Sequence, residues 1–341
     1  MAEILPYFFY LVVGTAIIFY CMTDGFDLGV GCLHLFAKGD TNRRIFLNSI
    51  GPVWDGNEVW LVIVMGALFA GFPEAFATIF SAFYSLFTIL MGALIIRAVA
   101  IEMRSKRPST IWRSTWDVLF CVGSVSIAFF LGIAMANLVQ GLPLNQMREY
   151  QGSFGDFFTI YSVLVGLLSV ALFSMHGAIY LIMKTEGALQ QKLRSWVGPA
   201  VLLFLGLFIL TTSATLVLHS HMVGRFQDQP WLFLVIAFGF VAIANILYQV
   251  RRQREGWAFA SSCCAIVFFI SLFGIGTFPM LMRSTIQPES NSLTILNSCS
   301  STLTLTVLTI IVVTGIPLVL GYMAWVYRTF AGKVRLDSSS Y

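Results

Sequence analysis

Apolar runs of about 20 residues recur along the whole chain, each long enough to cross a hydrocarbon core of roughly 30 Å as a helix. Nine can be marked, at 5–34, 53–70, 76–100, 115–138, 157–183, 197–220, 231–249, 257–282 and 303–327. The helical form is dictated by the solvent, because a backbone N–H or C=O left unpaired in lipid costs several kcal/mol. Composition agrees: 58% of the 341 residues are hydrophobic and 11% charged, against about 25% charged in a soluble domain. So high an apolar content excludes disorder as well. The fold class is therefore all-α, a polytopic membrane protein with nine transmembrane helices.

Charge orients these spans. Lys and Arg number three in the first loop (Lys38, Arg43, Arg44), none in the second and four in the third (Arg104, Lys106, Arg107, Arg113). The next loops hold one (Arg148), three (Lys184, Lys192, Arg194), one (Arg225), three (Arg251, Arg252, Arg254) and one (Arg283), and the tail adds Arg328, Lys333 and Arg335. High and low counts alternate without a break, the pattern of the positive-inside rule for an N-terminus outside and a C-terminus inside. The net charge of +4 reflects these loops, and nucleic acid is not an expected partner. The N-terminus lacks a basic n-region and a small-residue cleavage site, so the first helix is expected to be retained.

No connection exceeds about 20 residues, well under the roughly 40 below which a segment rarely folds unaided. The stretches 140–156 and 283–302 are rich in Ser, Asn and Gln and suit a cap on the outer face. No Walker loop, dinucleotide loop or nucleophile elbow occurs. The six cysteines show no Cys-x-x-Cys spacing, and thiols in apolar spans behave as small hydrophobes. The four histidines offer no convincing haem pair. His219 and His221 point to different helix faces, and His176, beside Gly177, is read as an interhelical hydrogen-bonding group. No metal site is expected in this chain.

Ionisable side chains in a bilayer core cost roughly 2.5–3.5 kcal/mol each, so they mark function. Here they cluster. The first span carries Thr23-Asp24-Gly25-Phe26-Asp27-Leu28-Gly29-Val30-Gly31, and the second opens with Gly51-Pro52-Val53-Trp54-Asp55-Gly56-Asn57-Glu58-Val59-Trp60. Arg97 ends the third span with Glu102 after it, and Asp117 starts the fourth. Tyr20, Asp24, Asp27, Gly31 and His34 follow a 4-3-4-3 spacing that places them on one helix face, a stripe about 21 Å long. Gly25 and Gly29 lie on an adjoining face and would admit a close neighbour. Asp55 and Glu58, three apart, share a face of the second helix, with Pro52 in its first turn. Desolvation opposes ionisation of these carboxylates, whereas the helix N-terminal field and Arg97 favour it. Such a balance suits a proton relay. With the N-terminus outside, the stripe lies in the cytoplasmic half of the membrane, as in a half-channel delivering protons to a buried site. A salt-bridge lattice bracing the first three helices is the competing account.

These residues resemble a known family. The segments 23–31 and 48–62, Arg97 with Arg104-Ser105-Lys106, the run Phe278-Pro279-Met280-Leu281-Met282-Arg283-Ser284-Thr285, the segment 292–297 and the tail Ala324-Trp325-Val326-Tyr327 are similar to motifs of subunit II of cytochrome bd-type quinol oxidases. The similarity runs nearly the whole chain in order. It implies two four-helix bundles plus a peripheral helix, with residues 1–138 forming the first bundle and 157–330 the second bundle and the peripheral helix. It implies a heterodimer with a haem-bearing subunit I in the bacterial cytoplasmic membrane. Subunit I would carry two b-type haems and one d-type haem, oxidise quinol on the outer side and reduce O2 to water with cytoplasmic protons, generating proton-motive force without pumping. Subunit II would hold no haem.

By position, Asp24, Asp55 and Arg97 match family residues assigned to a proton pathway, and Asp27 the second acid of the first motif. Glu58 stands beside them, with Trp54, Asn57, Trp60, Gly25 and Gly29 as a supporting shell. Whether a quinone binds this chain and whether small single-helix subunits attach is left open by the resemblance. The rival class is a proton-coupled transporter, which calls for a midplane site reachable from both sides.

Overall fold

The computed structural model describes residues 4–336. The helices are α1 (Leu5–Leu33), α2 (Asp40–Ile50), α3 (Trp54–Gly71), α4 (Pro73–Ala82), α5 (Tyr84–Met103), α6 (Thr110–Gln140), α7 (Ile160–Lys184), α8 (Gly187–Leu218), α9 (Gly224–Asp228), α10 (Phe233–Arg251), α11 (Glu255–Thr277), α12 (Pro288–Asn291) and α13 (Thr302–Thr329). Strands β1 (Met280–Met282) and β2 (Leu293–Thr294) form one antiparallel pair. Among the described residues eight helices are long and apolar enough to cross a membrane, and α2 with α3, bent by 47°, adds one more if the two count as a single span.

α1 is the centre of the assembly. Residues 24–32 of this helix are all buried, which requires neighbours on every side. It lies against α3, α6, α7 and α11, with α13 further out against α3. Its apposition to α7 depends on glycine. A Cβ at Gly29 would stand 1.8 Å from the Phe173 carbonyl oxygen and 2.8 Å from the Gly177 nitrogen, while one at Gly177 would stand 2.4 Å from the Gly29 carbonyl carbon. These obstacles are backbone and cannot rotate away. Gly29→Ala is accordingly expected to force the helices apart and to reduce the yield of folded protein severely. Gly14→Ala, with nothing within 4 Å of its added Cβ, is expected to leave yield and thermal stability unchanged; equal yields of the two variants would contradict the packing argument.

Several spans depart from the boundaries that hydropathy suggests, each for a local reason. The run at 76–100 is not one helix: the chain breaks at Phe83, and α4 precedes the break as a separate short helix. Pro73 occupies the first turn of α4, whose buried residues Ala75, Thr78, Ile79 and Ala82 recur at the 3-1-3 spacing of a surface helix with one inward face. The run at 257–282 stops being helical at Thr277. Pro279 has no N–H to continue the ladder, and Phe278 before it is extended, so the next residues pair as β1. Helix α7 starts at Ile160 rather than 157 because Thr159 caps it, its hydroxyl accepting from the Ser162 N–H at 3.0 Å. Helix α8 begins ten residues before the run at 197 and carries Lys192 and Arg194 in its early turns.

The stretches 140–156 and 283–302 are knitted together at the end opposite the basic loops. Leu142 N–H donates to Arg283 O and Thr285 N–H to Leu142 O, both at 2.9 Å. Asn291 donates to Leu144 O at 3.0 Å, and Ser300 N–H to Gly71 O at 2.9 Å. The backbone polar groups of these irregular segments are thereby satisfied in part by one another.

Candidate functional site: a buried acid–arginine cluster

The expensive residues converge on α1. Asp24, Asp27 and Arg97 are buried, and Arg97 crosses from α5 to donate from Nη1 to Asp24 Oδ1 at 2.7 Å. Its Nη2 donates to Glu58 on α3, whose side chain keeps 26% exposure. One guanidinium thus ties α1, α3 and α5 together, the planar fork meeting two carboxylates at once. Asp27, one turn further along α1, accepts at Oδ2 from Asn57 Nδ2 at 2.7 Å. That amide nitrogen also lies 3.4 Å from Thr23 O, and Asn57 Oδ1 accepts from the Tyr327 hydroxyl of α13 at 2.7 Å. Trp60 stacks on Phe19 with ring centroids 4.4 Å apart and donates from Nε1 to Met323 Sδ at 3.0 Å. Trp54 is half-buried against the same core. Gly25, which with Gly29 faces α7, would meet the Phe173 ring at 2.9 Å if it carried a Cβ.

Asp55 stands apart. It is exposed, unlike buried Asp24 and Asp27, although its three-residue spacing keeps it beside Glu58 on α3. The inward stripe of α3 is Asn57, Trp60 and Val64. Asp55, two residues before Asn57, lies about 200° around the helix from that stripe, whereas Glu58 lies about 100° away, on its flank. Pro52 also falls outside the first turn, since Val53 is the N-cap.

Among the described residues, buried Asp24 Oδ2, Asp27 Oδ1 and Arg97 Nε have no hydrogen-bond partner. Each carboxylate therefore keeps one oxygen engaged and one free. A carboxylate held in this way can take up and release a proton without dismantling the contacts that position it.

A second charged cluster, toward the basic loops, is one that sequence reasoning missed. Asp117 of α6 accepts from His34 Nε2 at 2.6 Å, Arg104 Nε at 2.5 Å and Arg43 Nη1 at 2.8 Å. Arg104 also reaches Asp40 at 2.8 Å, which Arg113 approaches at 3.1 Å. His34, Arg104 and Asp117 are all buried. The available signal was an Asp at the start of one apolar run and an Arg just past the end of the preceding one. Their pairing with His34, 83 residues from Asp117, has no local signature. The stripe Tyr20, Asp24, Asp27, Gly31 and His34 is buried throughout, yet it serves two separate clusters.

His176 is buried with both ring nitrogens engaged. Nε2 donates to Met22 O at 2.9 Å, and Nδ1 lies 2.8 Å from Ser262 Oγ, whose hydroxyl also has Phe259 O as an acceptor at 2.7 Å. Neither nitrogen faces an open coordination position. Among the described residues no three His, Cys, Asp or Glu side chains gather as a metal ion would require.

The family model described as cytochrome bd terminal oxidase subunit II matches residues 5–330. The chain is 34% identical over 363 residues to cytochrome bd-I ubiquinol oxidase subunit 2 of Escherichia coli K12, covering 97% of this chain and 96% of that protein. It is 30% identical over 328 residues to cytochrome bd ubiquinol oxidase subunit 2 of Bacillus subtilis, covering 95% of each. The bd oxidase structure from Geobacillus thermodenitrificans superposes with a TM-score of 0.80 at 20% identity, covering 96% of this chain and 98% of that one, a likeness of fold.

Proposed function

The chain belongs to the cytochrome bd terminal oxidase subunit II family and is a subunit of a membrane quinol oxidase, and from that premise we propose that its acid–arginine cluster is a proton-uptake route serving a haem-bearing partner subunit. In this reading the chain holds no haem itself. It scaffolds a subunit I with two b-type haems and one d-type haem, and it passes cytoplasmic protons toward O2 reduction without pumping. In the same reading the chain has nine spans, in two four-helix bundles and the peripheral α13, with the N-terminus outside and the basic loops inside the bacterial cytoplasmic membrane. The alternation of basic loops supports that orientation.

The observation that carries the reading is the placement of the four acids. Asp24 and Asp27 are sealed within the chain, Glu58 keeps about a quarter of its side chain exposed, and Asp55 is exposed on the outer side of α3. Together they run from the interior to a face that a second subunit can cover. Arg97 pairs with both Asp24 and Glu58 and supplies the opposite charge that buried carboxylates require. Unpartnered oxygens on Asp24 and Asp27 favour bridging water, because buried polar atoms are seldom left without a partner. Transfer along such a row needs each group within hydrogen-bond reach of the next, directly or through one water.

Asp55→Asn tests this reading. Because Asp55 is exposed, the substitution removes a proton carrier with little to break inside the chain. Quinol oxidase turnover is expected to fall on the order of 100-fold, with the amount of complex and its haem content unchanged. Loss of haem in step with activity would instead favour bracing, and unchanged turnover would take Asp55 off the route. The ion pairs of Arg97 are the observation that favours bracing as a second reading.

A further inference from the structure

We propose that Tyr327, on the outlying helix α13, is a positioning residue for Asp27: its hydroxyl locks the Asn57 amide so that Asp27 always faces a hydrogen-bond donor. The inference rests on the proton-route reading and adds to it a residue that contacts none of its carriers directly.

The orientation of the amide follows from its partners. Thr23 O is a backbone carbonyl and accepts only, and it lies 3.4 Å from one end of the Asn57 amide. Asp27 Oδ2 lies 2.7 Å from the same end. That end must be the NH2 group, which leaves Oδ1 to face α13 and to accept from the Tyr327 hydroxyl at 2.7 Å. The phenol is thus what satisfies the buried carbonyl end of Asn57. Without it Oδ1 is orphaned, a penalty that rotation of the amide would share with a protonated Asp27. In the rotated form the amide oxygen faces the carboxyl, and only an O–H can donate to it. The Asn57 side chain therefore has two orientations matched to the two protonation states of Asp27. A phenol can donate or accept, but the acceptor recorded for the Tyr327 proton among the described residues is Asn57 Oδ1, so the hydroxyl favours the orientation with the NH2 group toward Asp27.

Other contacts hold α13 in place for this task. Trp60 donates to Met323, one turn before Tyr327, and the Tyr327 ring meets Phe26 edge-on at 6.4 Å between centroids. Most of α13 lies outside the bundle, its buried residues being Leu305, Met323 and Val326. Its two polar links to the interior, through Met323 and Tyr327, both go to the inward stripe of α3.

The test uses the purified quinol oxidase complex. Tyr327→Phe keeps the ring and its packing while deleting the hydroxyl. Turnover is expected to fall on the order of fivefold, the equivalent of one hydrogen bond, with haem content intact. In redox-difference infrared spectra the carboxyl C=O band that disappears in Asp27→Asn is expected to move to lower frequency in Tyr327→Phe, because the carboxyl then donates to an amide oxygen. On an Asn57→Leu background Tyr327→Phe is expected to have no further effect. An unmoved band, or a full additional loss on that background, overturns the positioning role while leaving the proton route standing. Absence of any Asp27-dependent band together with normal turnover in Asp27→Asn removes Asp27 from the route and the proposal with it.

Discussion

Asp24→Asn is expected to lower quinol oxidase turnover on the order of 100-fold or more, the range that positioned proton transfer contributes, while the complex still assembles with its haems. The asparagine keeps an oxygen for Arg97 Nη1, now 2.7 Å from Asp24 Oδ1, and Glu58 remains as the counter-charge of the guanidinium. Only the capacity to carry a proton is removed. Arg97→Gln differs in kind, since it leaves Asp24 and Glu58 facing each other without a cation. Breaking a buried pair from one side costs about 3–5 kcal/mol, so that variant is expected to lose assembly as well as activity. Parallel measurements of turnover and haem optical absorption on both variants separate the outcomes. Normal turnover in Asp24→Asn would show that protons pass elsewhere, and joint loss of haem and turnover would make the cluster a brace.

A stability effect of similar size is expected at Asp117, in the layer toward the basic loops. Asp117→Leu would remove the acceptor that His34, Arg43 and Arg104 share, their donors standing at 2.6, 2.8 and 2.5 Å from its oxygens, and would leave Arg104 with Asp40 alone. His34 and Arg104 are buried, so donors left without an acceptor there carry a desolvation cost. A loss of about 3–5 kcal/mol is a large share of the roughly 5–15 kcal/mol that holds a folded chain together. The variant is expected to accumulate poorly in the membrane and to melt at lower temperature when extracted. Asp117→Asn retains an acceptor and should fall between the two. Wild-type levels of Asp117→Leu would mean that this cluster is solvated in the assembled complex and contributes little.

The two sets of substitutions probe different layers of one stripe. Periodicity on α1 is enough to predict that Tyr20, Asp24, Asp27, Gly31 and His34 share a buried face, because a helix sets the angle of each side chain from residue spacing alone. It cannot predict that Asp24 meets Arg97 while His34 meets Asp117, partners 73 and 83 residues away. The same limit explains Asp55. Spacing puts Asp55 and Glu58 near one another on α3, but an apolar helix carries no mark of which side will meet a neighbour. Only the packing of Asn57, Trp60 and Val64 against α1 turned Asp55 outward.

What the sequence determined by itself is the class of the protein and the inventory of its costly groups. Apolar runs in lipid must be helices, and carboxylates inside the spans are too expensive to be incidental. Gly25 and Gly29 could also be read as a close-approach face, since a missing Cβ is a property of the residue. The tertiary structure decided how those groups are shared: one arginine between two acids, one aspartate among three cations, an exposed Asp55, and a tail tyrosine holding an amide. Hydrogen bonds and ion pairs of this kind depend on where distant helices cross, and those crossings are set by packing across the whole bundle.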